Sequence, residues 1–312
     1  MPHEKCSIIT IAGDLGSGKS TVAEMISCEL SFERYSTGDV QRTLAKERGV
    51  TSLELNVLAE TKKDIDSLID SALTSLAESG KRLVVDSRLA WHFIPHSFKV
   101  YLSVDPLIAS QRIQNDSIRG TVEEYASVEE AYEKISQRRS SEEKRFNTLY
   151  DVDIANYNNY DLIIDTSYST PSTVASVLIE CFRQWVESIP HIPMWISPRR
   201  MIPTQDIRGI RDERTEPLIR SMANTGFNPN CPIEVVVVER YFYIINGHKR
   251  VSSALRNNIE FCPCVLLASD DELIYDNITA RQYITDSCSP SRIYDWEDAH
   301  DFRFASYPGG LM

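Results

Sequence analysis

The segment Gly13-Asp14-Leu15-Gly16-Ser17-Gly18-Lys19-Ser20 constrains this chain more than any other. It fits the pattern G-x-x-x-x-G-K-[ST] completely, and Thr21 follows. A β-branched run at 7–12 precedes it, and a helical apolar spacing over 20–30 comes after it. Strand, glycine-rich turn and helix together form the setting in which a backbone wraps a phosphate. Glycines 13, 16 and 18 let N–H groups curl around the anion, and the helix start adds about half a unit of positive charge. Lys19 is then placed to reach β- and γ-phosphates, and the Ser20 hydroxyl to hold Mg²⁺. The candidate ATP-binding set is Gly13, Asp14, Gly16, Ser17, Gly18, Lys19, Ser20 and Thr21.

The remaining periodicities extend this start into a layered fold. Helices are expected at 39–48, 52–78, 106–114, 127–147 and 171–187, and buried strands at 82–86, 98–104 and 161–165. Such alternation predicts an α/β domain with a parallel sheet and helices on both faces. Residues 188–198 then hold three prolines in eleven positions, which no helix or central strand tolerates well, and read as a linker. Beyond it the pattern predicts a smaller α+β domain at 199–270. Its elements are a helix at 212–225, a hairpin of 233–239 with 241–245, a helix at 248–257 and a strand at 261–268. Residues 271–312 form an acidic stretch with weak periodicity and no assigned fold.

Composition fits two folded domains in 312 residues, with 42% hydrophobic and 25% charged side chains. The start carries no basic n-region and no lipidation pattern, and no apolar run nears the ~20 residues that span a bilayer, so a cytoplasmic location is expected. A net charge of −12 excludes a bulk nucleic-acid coat. The charge is uneven, however: residues 199–256 carry 10 basic and 6 acidic side chains, whereas 257–312 carry 3 and 10. Any DNA contact is therefore expected in 199–256. The seven cysteines are scattered with no CxxC pair; Cys262 and Cys264 share a strand face and read as small buried hydrophobes.

Motors, GTPases and small-molecule kinases all share a phosphate loop. No guanine-specifying Asn-Lys-x-Asp occurs, and the strand at 82–86 ends in Asp86-Ser87-Arg88, one carboxylate beside one guanidinium, rather than in adjacent acids. Arginines near strand ends suit a kinase, which must bind a second substrate opposite ATP. Arg112, Arg119, Arg138, Arg139 and Arg145 surround the unpatterned stretch 115–126, as expected of a mobile lid that excludes water and neutralises the transferring phosphoryl group.

The first domain resembles cytidylate kinases, particularly the compact archaeal-type branch, over about 5–186. The resemblance rests on Ser36-Thr37-Gly38-Asp39-Val40-Gln41-Arg42, on Asp86-Ser87-Arg88-Leu89-Ala90, on the charged helix within 127–146 and on Tyr160-Asp161-Leu162-Ile163-Ile164-Asp165-Thr166. It implies an ATP- and Mg²⁺-dependent kinase of the nucleoside-monophosphate type. Arg42 and Arg88 would clamp the acceptor's phosphate, Asp39 would sit by the acceptor pocket, and Asp86 would serve substrate and metal. Lys19, Arg88, Arg112, Arg138 and Arg139 become the catalytic candidates. Ser87 departs from the family, which usually has glycine there, and the added side chain bears on what is phosphorylated.

The second domain offers Asn246-Gly247-His248-Lys249-Arg250 at a helix start. Cations are unfavourable at that end of a helix, so Gly247, His248, Lys249 and Arg250 read as an anion site. With Ile202-Pro203-Thr204, Pro232-Ile233 and Cys262-Pro263-Cys264-Val265, the segment resembles the ParB N-terminal/sulfiredoxin-like fold, whose members bind nucleotides or DNA. Gly247 stands where sulfiredoxin has its cysteine, which disfavours that activity. The leading expectation is phosphoryl transfer from ATP to a pyrimidine nucleotide, with an attached nucleotide- or DNA-binding domain. The alternatives are a kinase of hydroxymethyl groups on modified pyrimidines in DNA, and an ATP-switched DNA-binding regulator.

Overall fold

A computed structural model describes residues 8–50, 63–115, 125–207, 215–275 and 277–307, in two units, 1–191 and 192–312. In the first unit, strands β1 (Ile8–Gly13), β2 (Glu33–Ser36), β3 (Leu83–Asp86), β4 (Phe98–Ser103) and β5 (Leu162–Asp165) lie in the order β2-β3-β1-β4-β5. Every pairing among them is parallel: Ile9 of β1 faces Val84 on one side and Phe98 on the other. Ile9, Ile11, Val84, Val85, Val100, Leu102, Leu162 and Ile164 are buried completely, so neighbouring residues that point to opposite faces are both covered. A parallel sheet requires that cover, and it explains why these strands read as continuous apolar runs.

The helices are α1 (Lys19–Leu30), α2 (Thr37–Arg48), α3 (Lys63–Ala77), α4 (Ala90–Phe93), α5 (Pro106–Gln114), α6 (Val128–Tyr150) and α7 (Pro171–Val186). Their starts are written in sequence. Ser36 accepts the Asp39 N–H, Asp105 accepts those of Leu107 and Ile108, and Ser127 and Thr170 cap α6 and α7. The expected helix at 52–78 is described from Lys63, its earlier part lying outside the described residues. Most of the expected lid, 116–124 with Arg119, also lies outside them. The four-residue helix α4 had no periodic signal.

The second unit contains β6 (Met194–Ile196), β7 (Met201–Pro203), β8 (Ile233–Val238), β9 (Tyr241–Asn246) and β10 (Cys262–Ser269), in the order β6-β10-β8-β9-β7. β6 falls inside the stretch expected to be linker, and it pairs antiparallel with β10, Met194 opposite Cys264. The hairpin of β8 and β9 turns through Glu239 and Arg240, both at positive φ, the two-residue geometry that matches strand twist. Helices α8 (Thr215–Thr225) and α9 (His248–Arg256) follow the expected positions. Residues 271–307 hold β11 (Leu273–Tyr275), β12 (Ile278–Thr279), α10 (Ala280–Ser287) and α11 (Pro290–His300), with a capping box between Thr279 and Gln282. Cys262 and Cys264 are fully buried, and burial pushes the Cys262 thiol well above its ordinary value. No described helix is long and apolar enough to cross a membrane.

Candidate active site

The loop leaving β1 is shaped by its glycines. Gly13 stands at φ +143, and a Cβ there would lie 2.3 Å from the Leu102 carbonyl oxygen of β4. Gly18, at φ +80, begins α1 without a side-chain cap, leaving the first N–H groups of that helix for an anion. The Leu15 side chain packs with Ile113 of α5 and Ile135 of α6. Lys19 Nζ donates to the carbonyls of Gly13 at 3.0 Å and Asp14 at 2.7 Å, which hold the ammonium over the loop. Ser17 Oγ donates to Asp14 O at 2.8 Å, and Thr21 is exposed on the first turn.

Ser20 and Asp86 meet across the sheet. The Ser20 hydroxyl donates to Asp86 Oδ2 at 2.8 Å, joining the start of α1 to the end of β3. One hydroxyl and one carboxylate beside a phosphate loop form a donor set that suits Mg²⁺, which keeps most of its shell for water and phosphate oxygens. Among the described residues no group of three or more His, Cys, Asp or Glu is placed to hold a metal.

Asp86 is also one end of a charged chain that composition alone did not reveal. Arg34 of β2 lies 3.6 Å from Asp86 Oδ2, 3.5 Å from Asp39 Oδ2 and 3.5 Å from Glu24. Arg42, one turn along α2, pairs with the other oxygen of Asp39. Burial pushes the Asp39 carboxyl up, but Arg42 and Arg34 outweigh it and hold the group below its ordinary value. Strand parity offered a signal for Arg34: it shares a sheet face with Ser36, whose register partner is Asp86.

The remaining arginines divide into three settings. Arg88 pairs with Glu142 of α6, and Arg138 Nε donates to Glu142 Oε1 at 3.1 Å. Burial alone raises the Glu142 carboxyl, yet Arg88, Arg138 and Arg145 together bring it below the ordinary value. Burial lowers the Arg88 guanidinium, with Arg138 and Arg139 adding to the effect and Glu142 opposing it. Arg139 Nη2 donates to Asp14 Oδ1 at 2.6 Å. Arg112 instead reaches the carbonyls of Gly16 at 3.3 Å, Thr166 at 2.6 Å and Ser167 at 3.1 Å, fastening the loop to the end of β5. Burial lowers its guanidinium, and Asp165 opposes the shift. Arg42 and Arg88 are thus fixed to different helices, α2 and α6.

In the second unit the four expected anion-site residues have different settings, with the Arg250 guanidinium lying against Gly247. Gly247, at φ +114, starts α9. His248 turns inward beside Trp296, is 3% exposed, and its Nε2 accepts the Thr204 N–H at 3.0 Å. Burial lowers its pKa to about 4, so the ring is neutral at pH 7 and is no cationic ligand. Arg250 folds back onto the carbonyls of Cys231 and Pro232, both at 2.5 Å, and Lys249 is half-buried.

The His248 ring carries a pH prediction. Unfolded chain takes up a proton at about 6.5 and folded chain only near 4, so stability is full above 6.5 and falls as pH drops toward 4. The loss amounts to about 3 kcal/mol. His248→Gln keeps an acceptor for Thr204 but removes the titration. Its melting temperature should therefore change less than wild type between about pH 7 and 4.5; equal slopes would refute the assignment.

A family model described as an AAA domain matches residues 9–158. The cytidylate kinase of Natronomonas pharaonis is 38% identical over 173 residues, covering 55% of this chain and 86% of that protein. The cytidylate kinase of Methanothrix thermoacetophila is 36% identical over 176 residues, 56% of this chain and 98% of that protein. A crystal structure of shikimate kinase from Bacteroides thetaiotaomicron covers 56% of this chain and 98% of its own, at 14% identity and a TM-score of 0.40. With a phosphate loop at the head of a parallel sheet and more than a third of residues shared across nearly the full length of such relatives, the chain belongs to the cytidylate kinase family and is a P-loop kinase, a phosphotransferase.

Proposed function

We propose that the first unit transfers the γ-phosphoryl group of ATP to a pyrimidine nucleoside monophosphate of the CMP or dCMP kind. The observation that carries this reading is the Ser20–Asp86 hydrogen bond, which joins the phosphate loop to a strand end flanked by Arg34, Asp39 and Arg42. A donor cradle thus adjoins two cations, Arg34 and Arg42, suited to a second anionic substrate. The kinship to proteins named cytidylate kinases supports a nucleotide there.

In this scheme an oxygen of the acceptor phosphate attacks the γ-phosphorus, the bond to the β–γ bridging oxygen breaks, and ADP leaves. Lys19 exchanges its loop carbonyls for the β- and γ-phosphates. Arg42 and Arg88 hold the acceptor phosphate, and Arg138 faces the group in transfer. Mg²⁺ held by Ser20 and Asp86 would screen the polyphosphate charge. Because such transfer is loose and dissociative, positioning and charge neutralisation supply most of the rate. Incubating the protein with labelled ATP and a panel of NMPs, dNMPs and hydroxymethylated DNA tests the reading. Label is expected on CMP or dCMP; label confined to DNA would transfer the function to base modification, and no label at all would refute both.

The second unit is read as a ParB N-terminal/sulfiredoxin-like domain that binds a nucleotide or DNA. Its support is the parallel pairing of β8 with β10 around a hairpin, the strand–glycine–helix turn at Gly247, and the basic balance of 199–256. With His248 neutral and Arg250 committed to carbonyls, anion contact falls to Lys249 and the start of α9. A chain ending at His191 that retains nucleotide phosphorylation would assign the second unit to sensing or targeting.

A further inference from the structure

Arginine at the lid side of a kinase is expected to act on the transferring phosphoryl group, and Arg139 stood among the candidates for that role. Its partner suggests otherwise. Asp14 is the second residue of a loop whose purpose is to attract polyphosphate, and a carboxylate there works against that purpose. The structure places the carboxylate away from solvent, at 5% exposure. Oδ1 accepts the Tyr101 hydroxyl at 2.7 Å and Arg139 Nη2 at 2.6 Å, and Oδ2 accepts the Val104 N–H at 3.0 Å. The neighbouring Leu15 packs against Ile135, one helical turn before Arg139 on the same face of α6. One face of α6 therefore grips consecutive loop residues, one through an apolar contact and one through an ion pair.

We infer that Arg139 is a positioning residue: it acts through Asp14, cancelling the loop's carboxylate and pinning the loop to α6, rather than through the phosphoryl group. This inference rests on the reading of the loop as an ATP site, and the acceptor does not enter it. Removing the guanidinium alone leaves the charge of the buried carboxylate uncancelled beside the polyphosphate, which is worse than removing both charges.

A double-mutant cycle on the full chain tests it, with ATP affinity measured by calorimetry using a non-hydrolysable analogue. Arg139→Met should weaken binding about tenfold to a hundredfold, the coupling range of directly paired residues. Arg139→Met combined with Asp14→Asn should return it to within about threefold of wild type. Arg139→Lys, which keeps the charge, should lie close to wild type and serves if the methionine variant does not fold. Normal affinity in Arg139→Met, with lost turnover that the second change does not restore, would overturn the inference and give Arg139 to the phosphoryl group. A wild-type protein that binds no ATP overturns the loop reading and this inference together. One that binds ATP but phosphorylates no nucleotide overturns only the acceptor.

Discussion

Replacing Lys19 with alanine should lower phosphoryl transfer by at least about a thousandfold while leaving the fold intact. The expectation follows from where the ammonium sits. It is half-buried and donates to Gly13 O and Asp14 O, backbone atoms of the loop that remain when the side chain is removed. Two loop carbonyls are left to water, a small cost compared with losing a flexible cation that can follow charge from the β- to the γ-phosphate. Steady-state transfer with labelled ATP and a far-UV circular dichroism spectrum measured together decide the matter. A variant with native spectrum and surviving activity would remove the phosphate-loop mechanism.

Gly13→Ala is expected to act on the fold first and on the chemistry only as a result. The added methyl carbon would meet the Leu102 oxygen at 2.3 Å, the Leu102 nitrogen at 2.7 Å and its carbonyl carbon at 2.9 Å, all of them backbone atoms of a central strand. A φ of +143 is in addition a conformation that L side chains rarely adopt. Backbone strain and forced separation of β1 from β4 together should cost upward of about 4 kcal/mol. That approaches the whole stability of many domains, so the first unit should melt at a much lower temperature or fail to fold. Gly18→Ala is the contrasting variant, since nothing lies within 4 Å of its Cβ and only the positive φ resists it. Similar melting temperatures for the two would show that close approach to β4 is not the reason for Gly13.

Local chemistry explains which parts of this protein were legible in its sequence. The phosphate loop is a short contiguous pattern whose neighbours on the chain are its neighbours in space. The parallel strands stood out because burial on both faces leaves them no polar alternation. Helix starts at Ser127, Thr170 and Asp105 were likewise written within three or four residues. Illegible were pairings between distant segments: Asp14 with Arg139, 125 residues apart, and Ser20 with Asp86, 66 apart. Arg139 and Arg112 carried the right charge for phosphate work, but their partners are decided by tertiary packing. His248 read as a cation at a helix start because nothing local reveals that Trp296 packs beside it. Prolines suggested an extended linker at 188–198, yet Pro193 and Pro198 flank β6 rather than interrupt it. The last forty residues gave only weak periodicity: β11 and β12 are three and two residues long, and helices α10 and α11 span only eight and eleven.

The placement of β6 has a practical consequence for anyone separating the two halves. His191 still serves the first unit, its Nε2–H donating to Asp161 O at 3.0 Å and its ring lying 5.7 Å from that of Phe98. Met194 already serves the second, opposite Cys264. The usable cleavage window is therefore Ile192 and Pro193, far narrower than the proline-rich composition suggests. A cut a few residues later would strip β10 of a partner and expose an unpaired strand edge, inviting aggregation that has nothing to do with whether the half can fold.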